Sequence, residues 1–190
     1  MDTSIQVQRV ADKQADGMAK ADAKSVRKQL RNSTGEKIPT SATVGMNNDT
    51  KNIAILYDQS HEWYGSVLNF YPSGISPGNS AQFVNTVDPT NGSKAAVVYT
   101  GKINETTDCA WLLAWCAPIG TELDPPNYQV YVEVGKQENY ENIDWAAIEA
   151  KLSNSTNYSS SQDTETGCVA SADIFTGSNN TALIAAHFNI

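Results

Sequence analysis

The stretch Asp108-Cys109-Ala110-Trp111-Leu112-Leu113-Ala114-Trp115-Cys116-Ala117-Pro118 is the densest apolar run in this chain of 190 residues. It contains two of the four tryptophans and ends at a proline, which has no N–H group to donate to a sheet. The run is too short to span a bilayer, since a helical span takes about 20 residues. We therefore predict a buried central strand on which the other elements pack.

Short runs with a hydrophobic period of two recur from residue 41 onward, separated by clusters of Gly, Pro, Asn and Asp. Such spacing is typical of an antiparallel sandwich or barrel. The predicted strands are Ala42–Asn47, Ile53–Asp58, Trp63–Tyr71, Ala81–Val87, Ala95–Gly101, Cys109–Cys116 and Tyr128–Gly135, followed by a closing hairpin of Cys168–Phe175 and Thr181–Asn189. The sequence thus predicts a mainly β protein built as a single antiparallel β-sandwich.

Two segments late in the chain depart from this period of two. Residues 142–153 predict a short helix, because Asn142 or Asp144 suits the N-cap position. We expect Trp145, near the start of this helix, to pack on the sandwich. Residues 153–166 are rich in Ser, Thr and Asn, which predicts a mobile loop.

The N-terminal segment has a helical period instead. Residues 6–31 predict an amphipathic helix, which gives an N-terminal basic helix with its linker over residues 1–40 and a β-sandwich domain over residues 41–190. This helix is either docked on the body with a solvated charged face, or it offers a basic surface to anionic lipid or an acidic partner. The residues of that basic surface are Arg9, Lys13, Lys20, Lys24, Arg27 and Arg31.

Charge is divided unevenly between the two segments. Residues 1–40 hold eight Lys/Arg and five Asp/Glu, a net of +3, whereas residues 41–190 hold five and sixteen, a net of −11, and the sum is −8. Because like charges repel, we expect the body not to bind nucleic acid.

Compartment and cofactors are predicted from signals that the sequence lacks. We find no secretory leader and no apolar run of about 18 residues, so we expect a cytoplasmic protein. Cys109, Cys116 and Cys168 have no metal-binding spacing, and we interpret them as small buried hydrophobic residues in a reducing compartment rather than as disulfide partners. No Gly-rich phosphate loop occurs, and we predict no cofactor and no metal.

One turn collects residue types that are used in catalysis. Ser60, His61 and Glu62 follow Asp58 closely, but neighbours on a strand alternate between its two faces and rarely converge in one pocket. We therefore predict no catalytic residue and no metal site. The alternative is a hydrolase-like enzyme that uses His61 with Asp58 or Glu62.

Aromatic residues beside turns are the more suggestive feature. Trp63, Tyr64 and Tyr71 either pack in the core or form an exposed ledge for a lipid headgroup or a sugar ring. With His61, they are the predicted ligand-binding residues.

An ordered series of short motifs resembles the plant jasmonate-induced protein family, the 23 kDa jasmonate-induced protein-like group, from about residue 53 to residue 150. The series is Ser60-His61-Glu62-Trp63-Tyr64-Gly65, Tyr71-Pro72, Ile75-Ser76-Pro77-Gly78, Phe83-Val84, Ala96-Val97-Val98-Tyr99 with Gly101, Asp108 to Trp115, and Tyr128-Gln129-Val130-Tyr131-Val132-Glu133. More distantly, a Trp-x-Gly followed by a Pro/Gly turn is similar to the aegerolysin-type cytolysins, whose single β-sandwich recognises membrane lipids. The resemblance implies an aegerolysin/actinoporin-like sandwich.

The first resemblance also implies a cytosolic stress-response protein of plants with no established enzymatic activity, and it carries over no catalytic residue. We therefore expect a non-enzymatic stress or defence protein that acts by binding, with membrane lipid as its ligand. A carbohydrate-binding, lectin-like module and a hydrolase-like enzyme using His61 are the alternatives.

Overall fold

The computed structural model describes residues 41–119, 127–177 and 181–190, and the predicted N-terminal helix lies outside them. The strands of the described part are β1 (Ala42–Asn48), β2 (Ile55–Tyr64), β3 (Gly74–Ile75), β4 (Ser80–Asn85), β5 (Ser93–Lys102), β6 (Asp108–Ala117), β7 (Gln129–Lys136), β8 (Tyr158–Gln162), β9 (Val169–Thr176) and β10 (Ala182–Asn189). A 3-10 turn spans Gln137–Tyr140, and helix α1 spans Trp145–Ser153. The predicted mainly β architecture is confirmed.

The strands form two sheets of five strands each. Sheet 1 has the order β4-β1-β10-β9-β8, and sheet 2 has the order β3-β2-β5-β6-β7. The prediction of a purely antiparallel sandwich is wrong in one place, because β1 pairs with β10 in parallel, with Ala42 opposite Ala182. Apolar and polar residues alternate along a strand in the same way in parallel and antiparallel sheets, so the sequence pattern does not show the direction of the partner strand.

Strand β6 is buried on both faces. Trp111, Leu113 and Trp115 point between the sheets, whereas Leu112 and Ala114 lie on the opposite face, in a second apolar cluster beneath α1. All five are inaccessible to solvent, and burial of a large apolar side chain contributes roughly 1.5–3 kcal/mol. The prediction of a buried strand is confirmed, although the middle strand of sheet 2 is β5 and β6 lies next to it.

Helix α1 lies on the outer face of sheet 2. Asp144 is its N-cap, and its side chain accepts hydrogen bonds from the backbone N–H groups of Ala146 and Ala147, both at 3.1 Å. Ile148 and Leu152 are buried against the sheet, as the spacing of four residues requires. The predicted helix is confirmed, with Asp144 rather than Asn142 as its cap.

The predicted strand Trp63–Tyr71 is wrong. Strand β2 ends at Tyr64, and Gly65 with φ of +78° turns the chain into an irregular loop. This loop bonds to β4, with the N–H of Leu68 donating to the Val84 carbonyl at 2.8 Å. A loop that packs against the sandwich is half buried, as a surface strand is. The two therefore have a similar mixture of apolar and polar residues in sequence.

The predicted mobile loop over residues 153–166 is also wrong, because it contains strand β8. This serine-rich strand pairs with β9 at the edge of sheet 1. The backbone N–H of Val132 in β7 donates to the Ser159 hydroxyl at 3.1 Å, so a serine side chain links the two sheets at this edge. A strand with few apolar side chains gives no hydrophobic period to detect.

Two of the three cysteines are paired, contrary to the prediction. A disulfide joins Cys109 in β6 to Cys168, which directly precedes β9, and it therefore connects sheet 2 with sheet 1. Cys116 is free and half buried. Pairing of residues 59 positions apart depends on the packing of the two sheets, which local sequence does not reveal.

Candidate functional site

Three of the four predicted ligand-binding residues meet on the outer face of sheet 2, near the end of β2. His61 lies opposite Ala96, whose side chain belongs to the apolar cluster beneath α1. The pairing of β2 with β5 shifts register between Glu62 and Tyr64, so the strict alternation of faces ends there. As a result Trp63 and Tyr64 both approach the same lysine of β5.

Helix α1 adds a fourth ring. The His61 imidazole stacks on the Trp145 indole with ring centroids 5.1 Å apart and planes 13° apart. Trp63 meets His61 edge to face at 4.8 Å and Trp145 at 6.4 Å. We call His61, Trp63, Tyr64 and Trp145 the aromatic site.

The aromatic site is open to solvent in part. His61, Trp63 and Trp145 are half buried, and Tyr64 is 39% exposed. Trp111 and Trp115, by contrast, are fully buried in the core. The two kinds of tryptophan therefore differ in whether a ligand can reach them.

Lys94 places a cation beside these rings. Its ammonium group is 5.6 Å from the centre of the Trp63 ring and 5.9 Å from that of Tyr64, within the range of a cation–π interaction. Its side chain is only 11% exposed, and Glu149 of α1 balances the charge at 2.6 Å. Burial raises the pKa of the neighbouring Cys116 thiol, and the Lys94 ammonium opposes that shift only in part.

Tyr71, the fourth predicted residue, lies elsewhere. Its ring stacks on Tyr57 at 5.5 Å and contacts Phe83 edge to face, and its hydroxyl donates to Glu62 at 3.1 Å. Burial and the Glu62 carboxylate raise its pKa above the ordinary value for tyrosine. Tyr71 therefore belongs to the side of the sandwich and not to the aromatic site.

Sequence reasoning missed Lys94 and assigned Trp145 to packing only. A tryptophan directly after an N-cap lies at the accessible end of a helix, which is a usable signal. The sequence around Lys94 carries no such signal, because its contact with Trp63 and Tyr64 depends on the pairing of β5 with β2.

The residues of the catalytic alternative at His61 are divided between the two faces of sheet 2. Ser60 and Glu62 lie opposite Val97 and Ala95, whose side chains belong to the core cluster between the sheets, whereas His61 lies on the outer face. Ser60 and Glu62 therefore face away from His61, as the alternation along a strand predicts.

The described part of the chain holds neither a cluster of metal ligands nor a membrane-spanning helix. Within residues 41–119, 127–177 and 181–190, no group of three or more His, Cys, Asp or Glu side chains is placed to hold a metal ion. No helix in these ranges has the length and apolarity needed to cross a bilayer. The predicted basic surface, from Arg9 to Arg31, lies outside them.

Comparison with known proteins places the chain in a family. The model of the Nakanori-like protein family matches residues 4–188. A jasmonate-induced protein homolog from Atriplex canescens is 34% identical over 186 residues, which is 95% of this chain and 99% of that protein. The lipid binding protein Nakanori has a similar fold, with a TM-score of 0.64 and 17% identity over 89% of this chain and 79% of that one. The resemblance to jasmonate-induced proteins is thus confirmed, and the chain belongs to the Nakanori-like protein family.

Proposed function

We propose that this chain is a non-enzymatic stress-response protein that binds membrane lipid, with the headgroup held at the aromatic site. The family supports a binding role, since one solved structure with a similar fold is that of a lipid binding protein. The stress-response role is supported by the jasmonate-induced relative from Atriplex canescens.

The observation that carries the proposal is the gathering of four part-exposed rings at one place. Indole and phenol rings combine a large apolar body with a polar tip, which suits the boundary between lipid and water. A stack made by two separate elements, β2 and α1, holds its rings in fixed positions. These side chains are therefore already ordered in the folded protein, and ligand binding does not carry the entropic cost of ordering them.

Charge favours zwitterionic over anionic lipid for the body. Residues 41–190 carry a net charge of −11, and Lys94 is already paired with Glu149. The basic residues Arg9 to Arg31 remain a predicted second surface, which would add attraction to anionic lipid that salt weakens.

Vesicle sedimentation tests the proposal. The full chain should sediment with vesicles of phosphatidylcholine and a sphingolipid, and Trp63→Ala should weaken that binding at least about tenfold. The control is Phe175→Ala, which removes an exposed ring from β9 in the other sheet and should have no effect. Equal binding by the wild-type chain and Trp63→Ala, with both folded, would contradict the assignment of the site.

A sugar ring is the second candidate ligand, since the half-buried Trp63 ring offers a stacking surface and the Lys94 ammonium, which contacts that ring, also binds the Glu149 carboxylate. A glycan array with Trp63→Ala as the matched variant separates the two ligands. Signal that Trp63→Ala abolishes would favour the sugar, and silence across the array would remove it.

A further inference from the structure

We propose that a cluster of hydroxyl groups and one carboxylate beside β2 is a second binding site, which takes the ammonium group of a primary aliphatic amine. The cluster consists of Tyr57, Ser60, Glu62 and Tyr71, and we call it the tyrosine–carboxylate site. Its β2 residues lie on the face of sheet 2 opposite to that of His61. The site is therefore separate from the aromatic site and does not depend on the proposed lipid binding.

Three of the four side chains share the inner face of β2. The partners of Tyr57, Ser60 and Glu62 in β5 all belong to the core cluster between the sheets, and they are Tyr99, Val97 and Ala95 respectively. The register of β2 against β5 shifts between Tyr57 and Gln59, so one extra residue in β2 puts positions 57 and 60 on the same face. Solvent reaches this place, because Tyr57 is 36% exposed and the Glu62 side chain is exposed as well.

Direct contacts join the four side chains. The rings of Tyr57 and Tyr71 stack with centroids 5.5 Å apart and planes 10° apart. The hydroxyls of Tyr57 and Ser60 are hydrogen-bonded at 3.0 Å, and the Tyr71 hydroxyl donates to Oε1 of Glu62 at 3.1 Å. The Val67 N–H donates to the same carboxylate oxygen at 2.8 Å. These side chains are thus ordered in the folded protein, and a ligand does not have to arrange them.

The hydrogen-bonding groups that remain for a ligand are mainly acceptors. Burial and the Glu62 carboxylate raise the pKa of Tyr71, so its hydroxyl stays protonated and remains a donor to that carboxylate. In the described part of the chain, no N–H or O–H group donates to Oε2 of Glu62. One hydrogen is shared between the hydroxyls of Tyr57 and Ser60, which leaves lone pairs on both oxygens and a single O–H group. A ligand that fits this site is therefore chiefly a hydrogen-bond donor.

The charge of the site is negative and is not balanced by a neighbouring side chain. The stretch from residue 52 to residue 93 supplies all four side chains and contains no Lys or Arg. Among the residues that the structure describes, no ion pair includes Glu62, and three of the five lysines pair with other carboxylates. An ammonium group has three donors and no acceptor, and it carries the opposite charge. The exposed tyrosine ring beside the carboxylate suits the aliphatic chain of an amine.

An NMR titration of the full chain with n-butylamine at about 0.05 M NaCl tests the site, because the Val67 amide is bonded to the Glu62 carboxylate. We expect a saturable shift of this amide in the wild-type protein and at least about tenfold weaker binding by Glu62→Gln. Glutamine keeps an oxygen that accepts from Val67 and Tyr71, so this variant should fold. Tyr57→Phe, which removes one acceptor at a part-exposed position, should weaken binding about threefold.

The controls separate this site from a general attraction of amines to an acidic protein. Glu105→Gln removes an exposed carboxylate from the turn between β5 and β6 and should bind n-butylamine as wild type does. The uncharged n-butanol and tetramethylammonium, which has no N–H donor, should leave the Val67 amide unshifted. Equal affinity of wild type and folded Glu62→Gln overturns the proposal. It is also overturned if either control compound shifts the Val67 amide, or if n-butylamine does not shift it in wild type.

Discussion

At the scale of single residues, Glu133 anchors the outer face of sheet 2. Its carboxylate accepts hydrogen bonds from the hydroxyls of Tyr131 and Tyr140 and pairs with the Lys151 ammonium at 2.5 Å. Burial alone would raise the pKa of Glu133, but the hydrogen bonds from Lys151 and the two tyrosines outweigh it and lower the pKa. Since the folded protein favours the charged form, this carboxylate stabilises the fold above the ordinary pKa of glutamate, about 4.3.

We predict that stability falls as the pH drops through and below that value, because protonation removes the acceptor of all three partners. Glu133→Gln should lower the free energy of unfolding at neutral pH and make its dependence on acid weaker. Urea denaturation at several pH values measures both effects, and Glu138→Gln, at an exposed position, is the control. Parallel pH profiles for wild type and Glu133→Gln would contradict this role.

Gly65 and Gly78 form a matched pair of glycines with positive φ. A Cβ on Gly65 would lie 2.0 Å from the Thr86 carbonyl oxygen, whereas one on Gly78 would meet nothing within 4 Å. Gly78→Ala should therefore cost only the backbone strain, about 1 kcal/mol. Gly65→Ala should cost about 2 kcal/mol more, because Thr86 or the loop must move. Urea denaturation giving equal losses for the two would show that the loop is not tightly packed there.

At the scale of elements, helix α1 builds half of the aromatic site, and its start depends on Asp144. Asp144→Ala removes the acceptor of two backbone N–H groups and should cost about 1 kcal/mol of stability. Asp144→Ser keeps a cap acceptor and should retain most of that stability. Urea denaturation measures the free energy of unfolding of both variants. An Asp144→Ala variant as stable as wild type would rule out a capping role.

The elements that sequence predicted are those whose burial has a clear period. Strand β6 is apolar from Cys109 to Ala117, and β7 places Val130, Val132 and Val134 in the core, as its alternation predicts. Strand β8 is mostly serine, so its pairing depends on β9 and not on its own side chains. For the same reason the site was only partly predictable: His61, Trp63 and Tyr64 are near in sequence, but Lys94 and Trp145 arrive from other elements.

At the scale of the whole molecule, the link between the sheets can be tested. The Cys109–Cys168 disulfide closes a loop of 59 residues, and such a link stabilises a fold by about 4 kcal/mol through the entropy of the unfolded chain. Thiol titration of the denatured, unreduced protein should find one cysteine, Cys116, and reduction should expose all three and lower the melting temperature. Three titratable thiols before reduction would contradict the pairing, and Cys116→Ser should leave no titratable thiol in the denatured, unreduced protein.

The topology and the charge of the whole chain differed in how far sequence could predict them. The acidic body and basic N-terminal segment follow from counting charges. The parallel pair of β1 and β10 joins residues about 140 positions apart, beyond any local signal. The cytoplasmic location stays a prediction. Because the Cys109–Cys168 disulfide differs from the expectation of a reducing compartment, the redox state of these cysteines bears on that prediction.

Tryptophan fluorescence with brominated lipid tests lipid binding at the aromatic site most directly. Trp111 and Trp115 are fully buried, so quenching by lipid reports on Trp63 and Trp145. We predict that vesicles with brominated chains quench the wild-type protein and leave a Trp63→Phe/Trp145→Phe double variant almost unquenched, although its core tryptophans still emit. Equal fractional quenching of the two proteins, or none in the wild type, would contradict lipid binding at this site.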